Sequence, residues 1–160
     1  MPGTKDSPLS SIGREQTLRL SEKLHPFDLD LIYTSSTNRT IETTNIINEQ
    51  RNLIVTKSNK LLEMNFGEWE GLTRSQIKET FNNEYKLFET DPANFVAPTG
   101  ESLVEVKARV IQFINELLEK HNGKNVLVVT HSIVLKILMA NFEGRPLAKM
   151  WNESTIHSTN

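Results

Sequence analysis

The run Asn125-Val126-Leu127-Val128-Val129-Thr130, followed at once by His131, constrains this chain more than any other feature. Four apolar residues follow one another without polar alternation. That is the pattern of a strand covered on both faces, as in a parallel sheet. Parallel strands need long crossovers, usually helical, and the chain supplies them. Ser10 precedes Ile12, Leu18, Leu20 and Leu24 near helical spacing, which predicts a helix ending near His25, ahead of Pro26. Leu29 to Thr34 reads as a strand. Ser35 or Ser36 then caps a helix to about Glu49 with Ile41, Ile46 and Ile47 inward, and Leu53 to Thr56 reads as a second strand. Thr73 opens a helix over roughly 74–86. Glu101 to Lys120 is the longest helix, with Leu103, Val106, Val110, Phe113 and Leu117 on its apolar face and Ile114 beside them. A helix from Ser132 to Phe142 follows His131, and a short one ends at Trp151. Stretches 1–9, 61–71 and 90–100 read as loops, and the tail from Thr155 begins like a strand. Strands alternating with helices predict one α/β domain over 1–160, a three-layer sandwich with a mostly parallel sheet and helices on both faces.

Composition removes several functions. Of 160 residues, 46 are Leu, Ile, Val or Phe, enough apolar matter for a core. The formal charge of −2 gives no basic excess for nucleic acid or an anionic membrane. No cysteine is present, which excludes disulfides, thiolate catalysis and Cys-based metal sites. No apolar run reaches transmembrane length, and charges at Lys5, Asp6, Arg14 and Glu15 interrupt any secretory signal. The expectation is a cytoplasmic protein.

In parallel α/β sheets the ligand crevice lies beyond the carboxyl ends of the strands, and three positions stand out under that rule. His131 ends the most apolar strand, and the amides of the helix that follows suit an anion. A histidine there either binds and moves protons or only packs. Arg39 falls in the first turn of the helix after strand 29–34, where the helix dipole disfavours a cation. Its planar fork suits phosphate or carboxylate; the alternative is a surface arginine. Glu63, flanked by Leu61, Leu62, Met64 and Phe66, is the carboxylate whose surroundings would raise its pKa. Glu68 and Glu70 compete for the same role, and all three could be solvated loop residues.

His25 reads as a helix-end residue, His121 as an exposed one in a charged turn, and His157 lies in the tail. Lys107 and Arg109 read as a solvated helix face. No histidine pair has ligand spacing, and neither a glycine-rich phosphate loop nor a Gly-x-Ser-x-Gly elbow is present, so no metal, no cofactor and no nucleophilic serine are expected.

Taken together, five ordered blocks resemble the histidine phosphatase superfamily, which includes the phosphoglycerate mutases and small broad-specificity phosphatases. They are Asp6-Ser7-Pro8-Leu9-Ser10 with Gly13 and Gln16, Asp30 to Ser35 with Arg39 and Thr43, Leu62-Glu63 with Phe66-Gly67 and Trp69-Glu70-Gly71, Pro98 to Ser102, and Val128-Val129-Thr130-His131. The resemblance implies a phosphoglycerate mutase-like fold and metal-independent phosphoryl transfer through a phosphohistidine. It places Arg39 and His131 on the phosphoryl oxygens and Glu63 as the acid, with a backbone N–H of Ser132 as a further donor.

The resemblance also implies a nucleophilic histidine in an Arg-His-Gly strand end, and none of the four histidines sits in that triplet. The domain therefore reads as truncated at both ends. The absent opening strand is expected beside the strand that carries His131, in the middle of the sheet. Two explanations stand: a piece of an active enzyme, or a shortened relative that has lost phosphoryl transfer. On either, the 160 residues alone are expected to be inactive. The 68 residues from Glu63 to His131, with a lid-like insertion at about 73–100, favour the phosphatase branch over a mutase. Phe81, Tyr85, Phe88 and Phe95 are expected to pack that lid rather than read a substrate. The expected partner is a small phosphorylated substrate or inorganic phosphate, with homodimer formation left open. The alternative is a non-catalytic module that binds a phosphorylated ligand.

Overall fold

A computed structural model of the chain describes residues 3–153. Three parallel strands, β1 (Leu31–Ser35), β2 (Ile54–Ser58) and β3 (Val126–Val129), form a sheet in the order β2-β1-β3. Leu31 pairs with Ile54 on one side and Val126 on the other, so the central strand is β1. Six α-helices accompany them among the described residues: α1 (Ser11–Leu24), α2 (Asn38–Asn48), α3 (Arg74–Thr80), α4 (Asn82–Thr90), α5 (Leu103–Lys120) and α6 (Ser132–Phe142). None is long and apolar enough to cross a membrane. The chain belongs to the α/β class expected from its sequence.

The described residues group into two compact units, one formed by 6–62 and 113–131, the other by 3–5, 63–112 and 132–153. The first carries all three of these strands. Its α1 starts where Ser10 accepts a hydrogen bond from the Gly13 amide at 3.0 Å, an N-cap of the expected kind. Tyr33, Leu61 and Leu117 are buried together, with Leu31, Phe113, Val126 and Val128 packed against them. Asp30 ties the start of β1 to that of β3, accepting from Lys124 Nζ at 2.9 Å and the Asn125 amide at 2.8 Å.

In the second unit Trp69 is fully buried among rings. Its centroid lies 4.9 Å from Phe95, 5.7 Å from Phe88 and 6.0 Å from Tyr85. Trp151 joins them through Phe88, 4.8 Å away, and donates to its carbonyl. Tyr85, Phe88 and Phe95 are buried. These aromatics pack, as the sequence suggested. A turn beneath Trp69 explains Gly67: its φ is +54°, and a Cβ there would meet the Pro98 carbonyl oxygen at 2.0 Å.

Local details depart from the sequence reading. The β3 residues Val126, Leu127 and Val128 are half-buried rather than covered on both faces, because β3 has a paired neighbour on one side only among the described residues. The helix predicted over 74–86 is two helices, since Phe81 (φ −126°, ψ 48°) leaves the helical region and turns its ring to Trp69. The poor helix former Asn82 follows it. Helix α2 starts after Thr37, because Ser35 still belongs to β1 and Ser36 follows it. In α2 the buried residues are Thr40, Thr44 and Ile47, while Ile41 and Ile46 are half-buried. His121 is not exposed: its ring is half-buried and Nε2 lies 2.9 Å from the Tyr33 hydroxyl. His157 and the tail from Thr155 lie outside the described residues.

Candidate active site

The sheet-bearing unit brings Arg39 and His131 together. Both stand where the sequence predicted, just beyond the carboxyl ends of the adjacent parallel strands β1 and β3. His131 is buried at 8% exposure, and Arg39, Ser35 and Thr37 are among its partners. Arg39 Nε donates to Nδ1 at 3.3 Å, Ser35 Oγ lies 2.9 Å from Nε2, and Thr37 Oγ1 lies 3.5 Å from the same nitrogen. The guanidinium N–H can only donate. Nδ1 is therefore the unprotonated nitrogen, and the ring proton rests on Nε2 facing Ser35 and Thr37. The Arg39 guanidinium and the buried His131 imidazole thus lie side by side beyond the ends of two adjacent parallel strands.

The other unit holds Glu63 and Ser132. Glu63 is buried at 5% exposure. Its Oε1 accepts from the Met64 amide at 3.0 Å; its Oε2 accepts from Ser132 Oγ and the Ile133 amide, each at 3.2 Å. The carboxylate thereby receives amides at the start of α6. Two effects compete for its proton. Burial disfavours the charge and raises the pKa; the amides of Ile133, Met64 and Val134 and the Ser132 hydroxyl lower it. Burial wins, and the Glu63 pKa lies above the usual carboxylate range. A raised carboxyl suits a general acid.

Glu68 and Glu70 are placed differently. Glu68 is exposed. Glu70 binds the segment ahead of it: Oε1 accepts from the amide and hydroxyl of Thr4, both at 2.8 Å, and Oε2 from the Lys5 amide at 3.2 Å. Ser132 is exposed, and its hydroxyl donates to Glu63 Oε2.

Sequence reasoning missed three side chains. Ser35 is fully buried against His131, and Thr37 lies beside it. Arg109 is not part of a solvated face. Its side chain is 18% exposed, its Nε and Nη2 grip both Glu101 oxygens at 3.0 and 3.2 Å, and Nη2 also donates to the Glu63 carbonyl at 3.2 Å. The signal was present: Arg109 sits one turn from Val106 and beside Val110, on the flank of the apolar face of α5. Lys107 on the same helix is half-buried. No group of three metal-binding side chains occurs among the described residues.

An α/β fold with an arginine–histidine pair at its strand ends defines a broad class, and comparison narrows it. The family model of the histidine phosphatase superfamily, branch 1, matches residues 1–159. The chain belongs to that family. It is 31% identical to phosphoserine phosphatase 1 of Hydrogenobacter thermophilus over 94% of this chain and 71% of that protein. It is 30% identical to the 2,3-bisphosphoglycerate-dependent phosphoglycerate mutase of Cytophaga hutchinsonii over 88% of this chain and 68% of that protein. Among solved structures, Bacillus stearothermophilus YhfR superposes with a TM-score of 0.92 at 33% identity, covering 99% of this chain and 78% of that one.

Proposed function

We propose that the chain carries the phosphate-holding and proton-transferring groups of a metal-independent phosphomonoester hydrolase that works through a phosphohistidine. The observation that carries the reading is the Arg39–His131 pair beyond the strand ends. Arg39 and His131 bind the non-bridging phosphoryl oxygens and stabilise the charge that spreads over them in the transition state. The Ser132 amide is a further donor. A histidine nitrogen forms a bond to phosphorus as the P–O bond to the leaving group breaks, and the leaving oxygen takes its proton from Glu63. Water then attacks the phosphohistidine, Glu63 takes the proton of that water, and the P–N bond breaks to release phosphate. The pKa elevation at Glu63 supports the first role, since the carboxyl retains its proton to higher pH.

The attacking histidine is none of His25, His121, His131 or His157, because none lies in an Arg-His-Gly triplet. The polypeptide of these 160 residues therefore binds phosphate without turning over phosphomonoesters. That same observation favours a second reading, a relative that binds a phosphorylated ligand and does no chemistry. The 68-residue span from Glu63 to His131 supports hydrolase over mutase.

The test has two parts. Titration calorimetry with inorganic phosphate should show binding by the chain, lost in Arg39→Ala and His131→Ala. Intact mass measured on the protein from its native cells then separates the readings. A mass well above 18.3 kDa, together with aryl phosphate hydrolysis by that longer protein, supports the hydrolase. Turnover by the 160 residues that disappears in His131→Ala, or mutase activity exceeding hydrolysis in the longer protein, would overturn it.

A further inference from the structure

We propose that Asp6 caps helix α2 and thereby acts as a positioning residue for Arg39, with the Thr37 hydroxyl left free to face His131; the inference rests on the reading of Arg39 as a phosphate ligand. The first turn of a helix leaves backbone amides without intrahelical partners, and a side chain at the N-cap normally takes one. Helices α1 and α3 follow that rule: Ser10 accepts from the Gly13 amide, and Thr73 from the Gln76 amide. Helix α2 does not. Thr37 occupies the N-cap position with extended backbone (φ −79°, ψ 150°), yet its side chain makes no cap bond. Its Oγ1 lies instead 3.0 Å from Thr40 Oγ1 and 3.5 Å from His131 Nε2.

The amide at the start of the helix is satisfied from elsewhere. Asp6 Oδ1 accepts from the Asn38 amide at 2.8 Å, across 32 residues of sequence. Asn38 is the first residue of α2, and Arg39 is the next. Two consequences follow. A carboxylate at the positive end of the helix offsets the unfavourable placement of the Arg39 cation in the first turn. Fixing the Asn38 amide also keeps the first turn wound, which holds the Arg39 backbone where Nε meets His131 Nδ1. Had Thr37 capped the helix, its hydroxyl would point back along α2 rather than toward the imidazole. The division of labour assigns the cap to a distant aspartate and the hydroxyl to the site.

The experiment compares the 160-residue chain with Asp6→Ala and Asp6→Asn, using inorganic phosphate as the probe. Amide hydrogen exchange at Asn38, the nitrogen resonances of the His131 ring, the phosphate Kd and the Tm are measured on each. The Asp6→Ala change is expected to speed Asn38 exchange and shift the His131 resonances. It should also weaken phosphate about fivefold, the equivalent of a cap contributing about 1 kcal/mol. Asparagine keeps the accepting oxygen but not the charge, and should restore Asn38 exchange and the His131 resonances and most of the phosphate affinity. A lower Tm with a phosphate Kd and His131 resonances unchanged would mean a merely structural cap and overturn the proposal. Asp6→Asn as damaging as Asp6→Ala would overturn it too, since the hydrogen bond would not be the agent. If the unaltered chain fails to bind phosphate, the phosphate reading of Arg39 falls, while Asn38 exchange and the His131 resonances still decide the cap.

Discussion

Glu63→Gln separates the two forces that compete over the Glu63 carboxyl. Burial raises its pKa, and hydrogen bonds from Met64, Ser132, Ile133 and Val134 lower it, with burial the larger effect. A carboxyl whose folded pKa lies above its unfolded value of 4.5 contributes stability fully below that value and loses it as pH rises through the folded pKa. Glutamine does not titrate. The stability of the unaltered chain minus that of Glu63→Gln should therefore fall as pH rises from about 4 to 8, by about 1.4 kcal/mol for each unit of elevation. A second, pH-independent term sits beneath this slope. The glutamine NH2 replaces an oxygen that faces donors, so one amide such as Met64 or Ile133 loses its acceptor. That loss costs roughly 1–3 kcal/mol. The sign of the slope, not the offset, decides the matter. Urea unfolding of both proteins across that range supplies it. A difference that grows with pH in favour of the unaltered chain would show that the helix amides outweigh burial. Glu63 would then be ionised at neutral pH and could not serve as the acid.

Three further outcomes are expected. Arg109→Ala should lower stability by about 1–3 kcal/mol, through loss of the two-point grip on Glu101 and the bond to the Glu63 carbonyl; Arg109→Lys should recover less than half in urea unfolding, and full recovery would refute the role of the planar fork. Nitrogen NMR at neutral pH should find the His131 proton on Nε2, and Ser35→Ala should shift that resonance; a proton on Nδ1 would contradict the Arg39 contact. Gly67→Ala should destabilise by roughly 2–5 kcal/mol, because strain at φ +54° adds to collision with the Pro98 carbonyl, and an unfolding midpoint near that of the unaltered chain would show that the turn can open.

The candidate site was partly legible because some of its information is local. A helix that begins immediately after an apolar strand puts His131 and Arg39 at carboxyl ends whatever the rest of the chain does. Glu63 was one of three carboxylates in a loop without periodicity, and burial distinguishes it: 5% exposed, against an open Glu68 and a Glu70 spent on Thr4 and Lys5. Arg109 misled because a long polar side chain at the edge of an amphipathic helix looks the same whether it reaches for water or for Glu101.

By itself the sequence determined the parallel α/β class, the order of helices and strands, and the strand-end placement of Arg39 and His131. Those follow from apolar spacing and capping within a few residues. Tertiary structure decided that Arg39 reaches His131 across 92 residues, Ser35 across 96, and Glu63 the Ile133 amide across 70. It also decided where the His131 proton sits. A proton and a desolvated carboxyl answer to the neighbours folding brings within hydrogen-bond reach, and nothing in a window of ten residues names those neighbours.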